Sequence, residues 1–154
     1  MVHPVKNRQA ESWLRNHLGH LDGWKVLNTP RKNGETGPDI VAQMNGDIFF
    51  IEVIGYKMRG PSRSKDFFEG FWRTLSRLEE DITDFTNEKT TLHTKIIFAV
   101  PSEYKRGMKK RIVQYKIAWS RIASAFPELE IWFVSESHFD RSHGTHPFSS
   151  FDQN

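Results

Sequence analysis

The chain has 154 residues, of which 37% are hydrophobic and 13% aromatic, which suits a single globular domain with a sizeable core and argues against disorder. It contains no cysteine, so a disulfide framework and a thiolate metal centre are both excluded. A net charge of +3 and a pI near 9.2 give only a mild pull toward polyanionic partners.

No apolar run approaches the ~20 residues of a membrane span. The first eight residues, Met1 to Arg8, lack the apolar stretch of a secretory signal. The expectation is a cytoplasmic protein with no membrane partner.

The first periodic segment predicts a helix over 7–21, with Ala10, Leu14, His17, Leu18 and Leu21 on one side. A turn at Asp22-Gly23 leads to a short strand at Trp24–Leu27. Residues 28–37 read as a loop broken by Pro30, Gly34 and Gly37. Two apolar runs, Asp39–Met44 and Asp47–Ile54, flank Asn45-Gly46, the pattern of a hairpin with a type I′ turn. That turn sets Met44 opposite Asp47 and, along the same ladder, Asp39 opposite Glu52. Opposed Cβ atoms lie roughly 4.5–5.5 Å apart, and like charges there are destabilising. Two carboxylates at the end of an apolar hairpin need a reason, and a shared divalent cation is the simplest. The alternative is that Asp39 caps its strand while Glu52 pairs with a basic residue such as Arg73.

Gly55–Ser64 reads as a flexible connection. A helix follows to about Thr86, with Phe67, Phe71, Leu75, Leu78, Ile82 and Phe85 as its apolar stripe. Lys95–Val100 is a buried strand ended by Pro101. A basic helix over Tyr104–Ala125 turns Ile112, Trp119, Ile122 and Phe126 inward, and Leu129–Val134 is the last strand. Residues 1–134 thus form one domain. Residues 135–154, with His138, His143 and His146, read as a polar tail or cover. The helix between strands four and five implies a parallel pair with a right-handed crossover. The expected sheet is mixed and five-stranded, flanked by helices. Lys105, Arg106, Lys109, Lys110 and Arg111, together with Arg31 and Lys32 in the first long loop, suit contacts to phosphates.

Gly37-Pro38-Asp39-Ile40, followed by Glu52 within Phe50–Tyr56, resembles the PD-(D/E)xK nuclease superfamily, the restriction-endonuclease-like fold, over roughly residues 7–100. The resemblance implies an α/β fold with an αβββαβ core. It implies hydrolysis of DNA phosphodiester bonds with Mg²⁺ (or Mn²⁺), where bound metal neutralises the phosphate and activates water. Asp39 and Glu52 would be the catalytic and metal-holding carboxylates, with Glu11 and the carbonyl of Val53 as further ligands. A homodimer is common for this fold.

One position departs from the pattern. The family places a lysine two residues after the acidic residue, and here that position holds Ile54. Lys57 is the nearest replacement in sequence, although strand alternation aims it at the other face unless Gly55 introduces a bulge. Lys25, Lys65, Arg73 and Arg77 are other donors. Alternatively the metal acts alone, or the domain has lost catalysis and serves as a nucleic-acid-binding or protein-assembly module.

Overall fold

The computed structural model describes residues 2–87 and 91–141. Among the described residues, ten helices and strands follow the order expected from sequence, with one added strand and one helix divided in two. They are α1 (Asn7–His20), β1 (Trp24–Val26), β2 (Ile40–Met44), β3 (Asp47–Val53), α2 (Gly60–Ser76), β4 (His93–Pro101), α3 (Lys105–Gln114), α4 (Lys116–Ala125), β5 (Leu129–Val134) and β6 (Phe139–Arg141). Among the described residues no helix is long and apolar enough to cross a membrane.

The strands form one mixed sheet in the order β1-β2-β3-β4-β5-β6. The first three make an antiparallel meander, β3, β4 and β5 run parallel, and β6 returns antiparallel. Among the described residues the sheet therefore has six strands rather than five. The missed strand is three residues long and lies in the polar stretch read as a tail, too short to show a period of two. Phe139 and Arg141 hold it in place. Phe139 lies tilted against the Trp132 ring at 5.3 Å between centres, and Arg141 pairs with buried Glu130 at 3.1 Å. The Arg141 guanidinium also lies over Trp24, Phe49 and Trp132, at 5.5, 5.2 and 5.4 Å from their ring centres.

Strand alternation assigns the two faces. Ala10, Leu14 and Leu18 of α1 cover Ile40, Ala42, Phe49, Ile51, Ile97, Ala99 and Trp132 on one face. On the other, Phe67 of α2, Met108 and Ile112 of α3, and Ala123 of α4 cover Ile54, Phe98, Val100, Ile131 and Phe133. Glu52 belongs to this second face, because it alternates with Phe49, Ile51 and Val53 and pairs with Phe98.

The hairpin register is the expected one, with Met44 opposite Asp47 and Ile40 opposite Ile51. Its turn differs. Only Asn45 has a positive φ, of 53°, and Gly46 lies outside the left-handed region, so the turn is not type I′. The helix expected to reach Thr86 ends at Ser76 and continues as two 3-10 turns, Arg77–Glu79 and Ile82–Asp84. Glu80 is extended between them, which redirects Ile82 and Phe85 onto a separate cluster with Val41, Phe50 and Leu92. The basic helix is split at Tyr115, whose backbone leaves the helical region (φ −117°, ψ 45°). Nothing in the local packing explains that break.

Candidate functional site

Asp39 is positioned by the segment that precedes it. Asn28 accepts from Val41 N–H at 2.8 Å and donates to the Asp39 carbonyl at 3.3 Å, fixing the chain at its entry to β2. Asp39 stands one residue before the paired strand, and its Oδ2 accepts from Val53 N–H at 2.8 Å. Its other oxygen, Oδ1, accepts from Arg31 Nη2. The Asp39 carboxylate thus caps the end of the β2–β3 ladder.

Glu52 follows on β3 with only 1% of its side chain exposed. Arg77 Nε donates to Glu52 Oε1 at 2.6 Å, and Arg73 Nε lies 3.6 Å from Oε2. Arg77 also donates to Glu80 at 2.8 Å and to the carbonyl of Gly37 at 3.0 Å. Gly37 has φ of 124°, a conformation suited to glycine. Burial pushes the Glu52 carboxyl up to about 7, and the neighbouring Asp39 charge adds to the rise, against the lowering effect of Arg77. Burial works against the charge on Arg77. Glu52 and Glu80 outweigh it and hold the guanidinium more firmly protonated than usual.

Arg31, Gly37, Pro38, Arg77 and Glu80 line a surface groove of about 650 Å³. Asp39 and Glu52 do not line it. Glu35 and Asp84 line it as well, so Arg31 and Arg77 share the groove with three carboxylates.

The other expected site residues fall in different surroundings. Glu11 pairs with Arg15 at 2.9 Å, and Arg15 instead reaches the Asp39 carbonyl at 2.6 Å and the Asn28 carbonyl at 2.8 Å. Val53 is buried on the α1 face, and its amide serves Asp39. Lys57 is 57% exposed and pairs with Asp66 at 3.0 Å. Ile54 is buried against α2 at Gly70, where an added Cβ would come within 2.7 Å of Ile54 Cγ2. Lys32, Arg106, Lys110 and Arg111 are exposed, and Lys109 is partly so. Lys105 pairs with Asp140 at 2.6 Å and lies over the Phe133 ring. His143 and His146 lie outside the described residues.

Sequence reasoning named Arg77 only as one of several cations and assigned Arg31 to phosphate, so it missed their place on the carboxylates. The usable signal was the i, i+4 spacing of Arg73 and Arg77, which sets both on one helical face four residues apart.

Asp39 and Glu52 offer hard oxygen donors of the kind Mg²⁺ takes, but Arg31 and the Val53 amide occupy Asp39, and Arg77 and Arg73 occupy Glu52. Among the described residues no group of three or more acidic or histidine side chains converges on a metal position. No protein-family model, curated protein or solved structure matches this chain.

Proposed function

We propose that this chain is a nuclease-like protein that hydrolyses phosphodiester bonds of DNA with a divalent metal, Mg²⁺ or Mn²⁺, held by Asp39 and Glu52. The observation that carries the reading is Glu52 itself, a buried carboxyl raised to about 7 beside a second carboxylate, on a strand end behind Arg77, which also lines the neighbouring groove. Strongly perturbed groups of this kind concentrate at functional sites. Bound metal would supply charge neutralisation and an acidified water. Arg31 and Arg77 would bind and orient the phosphate in the groove. Their exchange from carboxylate to phosphate would free Asp39 and Glu52 as ligands. The cytoplasmic location and the homodimer expected from the sequence belong to this reading.

The test is plasmid nicking in Mn²⁺ by wild type, Asp39→Asn and Glu52→Gln. Cleavage by wild type, lost in both variants and abolished by chelation, is the expected result. Cleavage that survives Glu52→Gln sinks the assignment.

A second reading is favoured by a separate observation. Each carboxylate already has a guanidinium partner, and the lysine position is filled by an isoleucine packed under a helix. On this reading the domain is a degenerate nuclease fold that binds nucleic acid or supports protein assembly. Salt-dependent DNA binding without cleavage under any metal is its signature.

A further inference from the structure

We propose that the groove between the N-terminal segment and the β3–α2 connection is a second docking site, one that takes the phosphate backbone of nucleic acid. The proposal rests on the nucleic-acid reading for the identity of the polyanion, but not on catalysis.

The groove has a volume of about 640 Å³, and Lys6, Arg8, Lys57 and Arg59 line it with no carboxylate among the lining residues. Lys57 is paired with Asp66. Lys6, Arg8 and Arg59 have no acidic partner among the described residues, and Arg8 reaches only the side-chain oxygen of Asn33. All three are exposed.

Two helices begin at this groove, α1 at Asn7 and α2 at Gly60. A helix start carries partial positive charge and ordinarily attracts Asp or Glu to its first turn. Neither helix has an acidic residue there. Both starts carry cations instead, Lys6 and Arg8 at one, Arg59 and Arg63 at the other. Four like charges over two positive helix ends repel one another, and a polyanion relieves that repulsion.

The groove is also rigidly built. Val5 and Tyr56 exchange backbone hydrogen bonds of 2.9 and 2.7 Å, and Gly55 N–H donates to Asn7 Oδ1 at 2.6 Å. The approach is so close that a Cβ on Gly55 would collide with the Val5 carbonyl oxygen. Beyond Tyr56 a smaller cavity of about 110 Å³ is lined by Arg63 and Arg111 together with Glu103. Ser62 in the groove and Arg73 beside Glu52 are about 16 Å apart along α2, roughly five base-pair steps of B-DNA. One duplex could reach both.

Fluorescence anisotropy with a short labelled DNA duplex, in EDTA and over a salt series, tests this with the triple variant Lys6→Ala/Arg8→Ala/Arg59→Ala. The expected result is at least about tenfold weaker binding at low salt, with the slope of log K against log salt reduced by about two to three, one contact per lost cation. Arg59→Glu alone should weaken binding in the same direction, and circular dichroism should show both variants folded. Unchanged affinity and slope in the triple variant overturn the proposal. So does a wild type that ignores duplex but binds phosphatidylserine vesicles through these residues, which would make the partner a membrane surface. Failure of the catalytic reading looks different, since DNA would then bind through this groove and remain uncut in Mn²⁺.

Discussion

Gly70 of α2 lies directly over Ile54 of the segment that leaves β3, with no room for a methyl group between them. A Cβ at position 70 would meet Ile54 Cγ2 at 2.7 Å and Phe98 Cε1 at 2.8 Å. The position where the resemblance calls for a lysine is therefore sealed under a helix. Ile54→Lys should destabilise the fold on the order of 3 kcal/mol, because it puts an ammonium at a position only 1% exposed and tightly packed against α2. Urea denaturation measures this. A variant as stable as wild type would show that α2 yields easily and that a lysine is admissible after all. Gly70→Ala, by overpacking the same contact, should cost about 1–3 kcal/mol.

Arg77 is the group that keeps Glu52 ionisable. Arg77→Met should leave a buried carboxyl with only the distant Arg73 contact of 3.6 Å, and the Glu52 titration should move above its value near 7. Breaking a buried pair in this way costs roughly 3–5 kcal/mol when the remaining charge stays ionised. The loss should therefore be larger at pH 8 than at pH 5.5, where Glu52 carries a proton. Equal losses at both values would mean that Arg77 acts through packing alone.

Glu52 should give wild type a distinctive pH dependence. Its folded pKa is raised above the unfolded value of 4.5, so between about 4.5 and 7 the native state binds more protons than the unfolded one. That contribution to stability is fully present below 4.5 and is lost as the pH climbs to 7, by up to roughly 3 kcal/mol. Glu52→Gln should flatten the decline, and thermal melts of both proteins across this range check it. A metal ion favours the ionised carboxylates, so Mn²⁺ should raise the Tm of wild type more at pH 8 than at pH 5.5. A Tm shift of the same size in Asp39→Asn would place the ion elsewhere.

Arg141→Ala should release β6. Glu130 would lose its 3.1 Å partner and keep only the indole N–H of Trp132 at 3.0 Å. A cost of about 3 kcal/mol is expected for the stranded carboxylate. Trp132 fluorescence should shift to the red as its ring gains water. If the emission stays where it is, Phe139 alone is enough to hold the strand.

The helix and strand order was legible because long periodic runs dominate it. The apolar run of β3 between Asn45-Gly46 and Gly55, for example, leaves little choice of element or register. That register in turn brought Asp39 and Glu52 together before any coordinates. What was not legible depended on contacts distant in sequence. The place of Arg77 is set by Glu52, 25 residues earlier. Glu11 was expected among the carboxylates because the resemblance implies it as a further ligand. The resemblance could not show that Arg15, one turn on, takes both Glu11 and the Asp39 carbonyl. β6 has three residues, and its hold comes from aromatic rings contributed by β1, β3 and β5.

Those rings have a further consequence for how the chain is made. Trp24, Phe49 and Trp132 belong to strands completed early, in the middle and late in synthesis, yet the guanidinium that roofs them is residue 141. On the ribosome, α1 can cover Phe49 long before the guanidinium arrives, but this cluster lacks its cation until β6 has emerged. Closing the sheet edge over these rings is therefore a late step of synthesis.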